Sequence, residues 1–283
     1  MRKTFLAFCC VFSLGTLLGQ FEFDTDKFID GLVGGIKSDR PGKAINPRTC
    51  GFMTLQIQAG FNYEDFSSDW YTSNSFGTPI DIKLGLSQNL ELNTSLYYLN
   101  YRNEILPSGP EWQGKGMLSP QLAIRYTVVQ GTGWKPTLGL QAGMVFGSSK
   151  GDFQQPQMGS TFILATSNKF SRFSLNTNIG VNFIGDGNKN PLFPYVANLN
   201  FNLGEKASFY IEGFGNLNTP TLNGDGGFAF KLGKDFVLDI AGGWLGGTNP
   251  DPHWFTEVGF TYRFSALRYF AKKKASQFMN KGQ

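Results

Sequence analysis

The chain has few side chains of the kinds that catalyse reactions or bind metal ions. Its only histidine is His253, and beyond residue 19 its only cysteine is Cys50. A hydrolase needs a serine, a histidine and an orienting polar group within hydrogen-bond reach, and a zinc site needs several His, Cys or carboxylate ligands. We therefore expect His253 to occupy an exposed loop position, and we predict no enzyme, no metal site and no cofactor.

Two glycine-rich stretches place aspartates where calcium ligands are sometimes found. GDGNKN, which starts at Gly185, holds Asp186, and NGDGG, which starts at Asn223, holds Asp225. Neither stretch has the spaced carboxylates, closed by a bidentate glutamate, that a calcium loop requires. The composition is more typical of turns, so both aspartates are expected in loops.

Alternation of apolar and polar residues is the strongest pattern in the sequence. The stretch FSLNTNIGVNF, from Phe173 to Phe183, places Phe, Leu, Thr, Ile and Val on one face and Ser, Asn and Gly on the other. Such alternation predicts a β-strand with one apolar and one polar face. The pattern recurs in about twelve segments of the chain. After the first nineteen residues no stretch approaches the roughly eighteen apolar residues of a membrane-spanning helix.

The connections between these segments alternate between short turns and long loops. The long ones are predicted at 65–77, 102–116, 147–157, 184–194, 216–223 and 245–253. Outer-membrane barrels have this arrangement, with tight turns at one end and longer loops at the other. The polar face carries Asn, Gln, Ser and Thr rather than the Lys and Glu of a soluble surface, and aromatic residues stand at strand ends. We predict an all-β fold, a transmembrane antiparallel up-and-down β-barrel of about 12 strands.

Four segments are expected along the chain. Residues 1–19 have a basic start and an apolar stretch, and predict a secretory signal peptide that directs export. Residues 20–52 either plug the lumen, with Asp39 and Arg40 as the anchor, or lie in the periplasm as a solvated segment, and 53–264 form the barrel. Residues 265–283 form a basic periplasmic tail, either disordered or a short helix on the inner leaflet. The net charge of +4 is small, and the lysine and arginine residues do not cluster outside the tail. Nucleic acid is therefore not an expected partner.

The inward face of the barrel is the predicted solute path. The alternation assigns to it Gln56, Gln58, Asp81, Lys83, Arg125, Gln141, Asn176, Asn178, Asn182, Asn198, Asn200, Asn202, Tyr210, Glu212, Lys231, Asp239, Glu257 and Arg263. Opposite charges among them are expected to find each other across a narrow lumen. That network either fills the barrel as a structural element or forms a constriction that selects solutes. The asparagines, on neighbouring strands, predict a neutral amide surface.

Short stretches of the chain resemble a known family. Asp39, Arg40 and Pro41, the hairpin DGGFAFKLGKDFVLDIAGGWLGG from Asp225 and the closing strand EVGFTYRF, which ends at Phe264, are similar to motifs of the outer-membrane transporter family named for the meta-pathway of phenol degradation. The chain departs from that family by adding the tail 265–283. The resemblance implies a barrel of about twelve strands, of a Bacteroidetes type, with a role in solute uptake.

These patterns predict a passive outer-membrane channel of a Gram-negative bacterium for small neutral or amphipathic solutes, aromatic ones included. The expected partners are outer-membrane lipid, the solute, and the barrel-assembly machinery, which would recognise the closing strand. The main alternative is a closed structural barrel whose outer loops, with Trp70, Tyr71, Trp112 and Phe153, recognise a surface. A barrel enzyme built around His253 is the third and weakest reading.

Overall fold

The computed structural model describes residues 35–147, 152–187, 190–219, 221–246, 251 and 253–270. The predicted signal peptide and the tail beyond residue 270 lie outside the described residues. The chain forms thirteen strands. In chain order they are β1 Thr54–Ser67, β2 Tyr71–Gly85, β3 Leu90–Ile105, β4 Glu111–Met117, β5 Gln121–Val129, β6 Thr137–Val145, β7 Gly159–Lys169, β8 Phe173–Phe183, β9 Pro194–Asn202, β10 Ala207–Asn216, β11 Thr221–Lys231, β12 Phe236–Trp244 and β13 His253–Ser265.

The sheet closes on itself as an antiparallel barrel. β1 pairs with β2 on one side and with β13 on the other, in a register that sets Thr54 opposite Ser265. β4 pairs with the second half of β3, and β5 pairs with its first half. The two strands therefore occupy a single strand position in the barrel, interrupted at residues 118–120. The barrel therefore has 12 strand positions, and the predicted fold class is confirmed. Closure leaves no sheet edge to face lipid.

The two ends of the barrel differ. One end, here named the termini end, carries Thr54 and Ser265 together with the turns at 86–89, 170–172, 203–206 and 232–235. The opposite end, here named the loop end, carries the longer connections 146–158, 184–193 and 245–252. The predicted difference in loop length is thus present in the second half of the barrel.

Two predicted loops are strand instead, and a third, 216–223, is shortened to 217–220 between β10 and β11. Residues 65–77 and 102–116 mostly belong to β1, β2, β3 and β4, and only 68–70 and 106–110 remain as turns. β1, β2 and β3 have 14, 15 and 16 residues, longer than the 11 of β8. Their loop-end halves pair through backbone hydrogen bonds but lack the apolar alternation, because beyond the lipid neither face needs to be apolar.

Four residues expected in loops are also found in strands. Tyr71 opens β2, Trp112 lies in β4, Asp225 lies in β11 and His253 opens β13. Nε2 of His253 lies 2.7 Å from Oε1 of Glu64, and the imidazole stacks edge-on against Phe66 with 5.3 Å between ring centroids. His253 therefore joins β13 to β1 at the loop end.

The outer face of the barrel is apolar and exposed. At its middle height Ile124, Leu140, Ile211, Ile240 and Val258 are each between 50% and 54% exposed. A water-soluble monomer does not expose a continuous apolar band of this kind. The band matches the lipid-facing belt of a transmembrane barrel.

Aromatic rings border this band at both ends. At the termini end a row of rings runs around the barrel with centroids between 4.6 and 6.4 Å apart, formed by Trp134, Phe170, Phe173, Phe201, Phe209 and Phe228. At the loop end Tyr63 packs on Trp254, with 5.5 Å between the ring centroids. Girdles of aromatic residues flank the apolar band of transmembrane barrels at both interfaces, so the row at the termini end and the pair at the loop end mark the two membrane interfaces.

The described residues contain little helix. Residues 266–270 form one helical turn after β13. Within the described ranges no helix is long and apolar enough to cross a membrane.

Candidate functional site: a plugged lumen

Residues 35–52, here named the plug, lie inside the barrel rather than outside it. The segment contains four bases and one acid. Its side chains and backbone bond to inward-facing residues on strands all around the lumen, from β2 to β13. Because the strands cannot supply these contacts to each other across the lumen, the plug organises the interior of the barrel.

Asp39 is the electrostatic centre of the plug. Arg125 donates to both carboxylate oxygens, from Nη1 to Oδ1 at 3.2 Å and from Nη2 to Oδ2 at 2.7 Å, and Lys83 Nζ also donates to Oδ2. The side chains of Lys83 and Arg125 are each only 3% exposed. A bidentate arginine and a lysine on one buried carboxylate form a strong and directional anchor.

Burial by itself would raise the pKa of the Asp39 carboxyl. The charges and hydrogen bonds of Arg125 and Lys83 outweigh that effect and hold the pKa well below its usual range. Asp39 is therefore ionised while the plug is in place, and the ion pairs with β2 and β5 are formed at neutral pH.

Arg40 fixes the plug to a second part of the wall, on β12. Its Nη2 donates to Oδ1 of Asp239 at 3.0 Å, and both side chains are buried. The guanidinium lies over Gly60 and Gly259, which face each other across β1 and β13. A Cβ atom on either glycine would come within 2.7 Å of Arg40 Nη2, so the absence of side chains there makes room for the arginine.

Backbone amides of the plug are held by wall side chains. Glu212 accepts from Lys43 N at 2.6 Å and from Ala44 N at 3.0 Å, and Glu257 accepts from Gly42 N at 3.3 Å. Asn178 Oδ1 accepts from Ile45 N at 2.8 Å. A chain that crosses a lumen without secondary structure must satisfy its N–H groups in this way, so these wall residues specify where the plug sits.

The end of the plug is bound near the termini end of the barrel. Thr127 Oγ1 donates to Pro47 O at 2.9 Å, and Thr49 Oγ1 donates to Gln88 O at 2.7 Å. Cys50 N donates to Glu91 Oε2, and the Cys50 thiol is buried. Burial and the neighbouring Glu91 charge raise the pKa of that thiol to about 12. While the plug is docked, Cys50 is thus shielded from thiol reagents and is little ionised.

Two cavities flank the plug inside the barrel. The larger, about 440 Å³, opens toward the termini end and is lined by Asn176, Asn198, Asn200 and Asn202 among others. The second, about 290 Å³, lies on the loop-end side and is lined by Lys83, Arg125, Tyr97 and Pro79 among others. Asp39, Arg40 and Ile45 border both cavities. The middle of the plug is therefore the partition between two polar chambers.

The structure places the predicted lumen residues on inward strand positions. Gln56, Gln58, Arg125, Glu212, Asp239, Glu257 and Arg263 are nearly fully buried there, and the register sets Asn176 opposite Asn198 with 3.1 Å between Nδ2 and Oδ1. Lys231 is inward by register but exposed at the termini-end rim. Tyr210 is 2% exposed and packs against Gly42, so it supports the plug rather than lining the open space.

The ion pairs differ from the predicted network across the lumen. Lys83 and Arg125 pair with Asp39, and Asp239 pairs with Arg40, so the plug supplies most of the partners, while Arg125 also pairs with Glu91 on the neighbouring strand β3. Arg263 pairs with Asp235 at the rim. The physical reason is that the plug occupies the space between the walls, so its charged side chains lie within ion-pair distance of wall residues on separate strands.

Three inward residues of β3 were missed from the sequence. Glu91 and Asn93 are buried and Tyr97 borders the loop-end cavity. Glu91 and Asn93 alternate with Leu90, Leu92 and Thr94 in the expected manner. The signal was present in the first half of β3, but the irregular second half obscured it.

Acidification is expected to loosen the plug. Because the Asp39 pKa is lower in the docked plug than in a released one, its stabilising contribution is complete above about pH 5 and is lost progressively as the pH falls toward about 2. Hydrogen exchange of the amides of residues 42–45, corrected for the intrinsic pH dependence of exchange, should show this loss of protection. The Asp39→Asn variant should show a smaller change over the same pH range, and an equal change would assign the effect to other groups.

Comparison with known proteins identifies the fold. No protein-family model matches the sequence, and no curated protein matches it. The barrel is similar to an outer-membrane channel from Pseudomonas putida F1, with a TM-score of 0.57 and 9% identity over 80% of this chain and 100% of that one. A weaker likeness is to the translocator domain of the autotransporter NalP from Neisseria meningitidis, with a TM-score of 0.48 and 13% identity over 84% of this chain and 93% of that one. Another is to the toluene transporter TbuX from Ralstonia pickettii, with a TM-score of 0.45 and 10% identity over 83% of this chain and 99% of that one.

The resemblance to the phenol-degradation transporter family stays a prediction, since no family model matches. The likeness to the Pseudomonas putida channel, together with the closed sheet and its apolar outer belt, shows that the chain has the fold of an outer-membrane β-barrel.

Proposed function

We propose that the protein is a passive outer-membrane channel whose lumen is narrowed at mid-height by the plug. The observation that carries this proposal is the pair of polar cavities, about 440 and 290 Å³, that face each other across the plug. A barrel with only a structural role gains stability from a filled interior. Space on both sides of a thin partition suits a path for solutes.

The termini-end cavity favours small neutral or amphipathic solutes. Asn176, Asn198, Asn200 and Asn202 line it, and amide groups offer both donors and acceptors without a net charge. Such a surface exchanges hydrogen bonds with water or an uncharged polar solute without holding an ion. Aromatic solutes belong to the same proposal, because Tyr97 lines the loop-end cavity.

The proposed orientation places the termini end in the periplasm and the loop end outside the cell. Bacterial outer-membrane barrels have their longer loops on the extracellular side, and the longest connections here, 146–158 and 184–193, lie at the loop end. The plug then enters the lumen from the periplasm. The closing strand β13 is the proposed element that the barrel-assembly machinery recognises, and the protein is proposed to act without catalysis or cofactor.

Reconstitution in planar bilayers tests the channel proposal. The native chain is expected to give small or infrequent current steps, since the plug obstructs the lumen. A variant that lacks residues 35–48 should give steps several times larger, because removal of the plug joins the two cavities. Uptake of uncharged solutes into liposomes should rise in parallel with conductance.

The folded state of the deletion variant needs its own check, because the plug satisfies buried wall charges. Retarded migration of unheated protein in detergent gels reports a closed barrel independently of conductance. A folded deletion variant that passes neither ions nor neutral solutes would overturn the proposal and favour the closed barrel with a surface-recognition role. Equal currents in the two proteins would remove the plug from the conduction path.

A further inference from the structure

Lys83 and Arg125 form a receptor for a carboxylate group on the inner wall. They stand on β2 and β5, on either side of β3, and the register places Lys83 opposite Asn93 and Arg125 opposite Glu91. Gln141 Oε1 accepts from Arg125 Nε at 3.0 Å and from Nη2 at 2.8 Å, which orients the guanidinium. A preoriented guanidinium beside an ammonium group is selective for a planar anion with two oxygens.

The group that occupies this receptor is tethered rather than built into the wall. Asp39 belongs to the plug, and only its carboxylate reaches both Lys83 and Arg125. Two wall acids lie in the same region, but Glu91 lies 3.3 Å from Arg125 Nη1 and accepts from Cys50 N, and Asp81 accepts from Ser95 Oγ. Without Asp39, the ammonium of Lys83 loses the acid partner that the structure gives it.

The receptor is reached from the loop-end side. Lys83, Arg125 and Asp39 all border the 290 Å³ cavity, whose lining also includes the apolar surfaces of Tyr97 and Pro79. The volume is close to the lower limit of small-molecule pockets. The cavity therefore offers a charged site for a carboxylate and a neighbouring apolar surface for the rest of a small amphipathic molecule.

We propose that small monocarboxylates bind to Lys83 and Arg125 in place of Asp39, and thereby release the plug. This inference rests on the proposed channel function, for which it names an opening signal: an amphipathic solute with a carboxylate releases the plug, and neutral solutes share the path once it is open. Exchange of one carboxylate for another leaves no buried charge unpaired. Departure of Asp39 without replacement takes the acid partner from the nearly buried Lys83 and leaves Arg125 with Glu91 alone, which is strongly unfavourable. A neutral solute lacks the group that would compensate this cost.

The test compares benzoate with benzamide, which has nearly the same shape but no charge. The reporter is Cys50, the only cysteine in the chain from residue 20 onward, whose thiol is buried while the plug is docked. In detergent-solubilised protein at constant pH and ionic strength, millimolar benzoate is expected to raise the rate of maleimide labelling by roughly 10-fold, the factor that corresponds to one charge-assisted hydrogen bond. Benzamide should leave the rate unchanged.

A matched pair of variants locates the effect. Lys83→Met should remove the response to benzoate, whereas Lys231→Met, at the exposed rim of the same lumen, should keep it. The comparison of benzoate with benzamide in the native chain needs no variant, so the test stands even if Lys83→Met fails to fold. Equal rates with both compounds, or a benzoate response that persists in a folded Lys83→Met protein, would overturn the carboxylate site.

The labelling experiment and the bilayer experiment can each contradict one proposal without contradicting the other. Labelling that responds to benzoate in a protein that never conducts would remove the channel proposal and leave the carboxylate site in place. Conductance that is the same with benzoate, benzamide or chloride, in a protein whose Cys50 labelling is equally insensitive, would remove the carboxylate site and keep the channel. Acetate in place of benzoate separates the contribution of the carboxylate from that of the aromatic ring to the labelling response, since only benzoate can also contact Tyr97.

Discussion

Replacement of Asp39 by alanine is expected to release the plug and to produce the largest rise in conductance of any single substitution in residues 35–52. The change removes the carboxylate that two nearly buried cations share, and breaking a buried ion pair from one side costs about 3–5 kcal/mol. Arg125 keeps Glu91 as a partner at 3.3 Å, and both cations border a cavity that water can enter, so the lower end of that range applies. Even so, the ratio of released to docked plug should rise on the order of a hundredfold.

Two measurements monitor the release of the plug in the Asp39→Ala protein. Single-channel recording should show larger and longer-lived open steps in the Asp39→Ala protein, and maleimide should label Cys50 much faster than in the native chain. Asp235→Ala is the matched control, because Asp235 also accepts from two arginines, Arg263 and Arg268, but at the rim and without any described bond to the plug. If Asp235→Ala opened the channel as much as Asp39→Ala, loss of a carboxylate anywhere in the barrel would explain both, and the plug anchor would not be specific.

The barrel could be predicted from the sequence because lipid imposes a strict rule on it. Each lipid-facing position must be apolar and each strand must be paired, so alternation and the expected closure together specify an even-numbered antiparallel barrel. The same reasoning explains the errors. The loop-end halves of β1 to β4 rise beyond the lipid, where the rule no longer applies, and their strands therefore read as loops.

The inner surface was harder to predict than the outer one. Alternation shows which side chains point inward, and the asparagines of β8 and β9 lie where the pattern puts them. It does not show what those side chains bind, because their partners come from a segment without periodicity. Asp39 and Arg40 were noted as a family motif and as an anchor for residues 20–52, but the sequence did not show their partners, which lie on β2, β5 and β12, more than forty positions along the chain in each case.

Some inward-facing glycines of the barrel wall have a role that the sequence pattern does not show. A glycine at an inward strand position reads as a weak point in a strand, since glycine has low β-propensity. At Gly139 on β6 the structure gives another reason. A Cβ atom built there would come within 2.4 Å of Pro47 O and 2.7 Å of Pro47 Cα, and its three nearest contacts all belong to the plug. Gly139 is therefore a seat for the plug backbone.

Gly139→Val is expected to expel the plug near Pro47 without harm to the barrel itself. Valine favours strands, and the three atoms closest to its Cβ all belong to Pro47 of the plug, so the main clash falls on the docked plug. The substitution should also break the hydrogen bond from Thr127 Oγ1 to Pro47 O. Labelling of Cys50 should approach the rate measured for Asp39→Ala, with larger current steps in bilayers. In the variant that lacks residues 35–48, Gly139→Val should leave thermal stability unchanged or slightly higher.

Gly213→Val on β10 is the control for the general effect of glycine-to-valine substitution in a strand. A Cβ there has ordinary contacts no closer than 3.7 Å and none with the plug, so conductance and labelling should stay native. Gly139→Val changes the size of a side chain and not its charge. It therefore tests the close fit of the plug against β6 independently of the ion pairs of Asp39 and Arg40. A Gly139→Val barrel that folds, keeps Cys50 protected and conducts like the native chain would show that the plug shifts to accommodate the valine, and that docking depends on Asp39 and Arg40 rather than on close fit along β6.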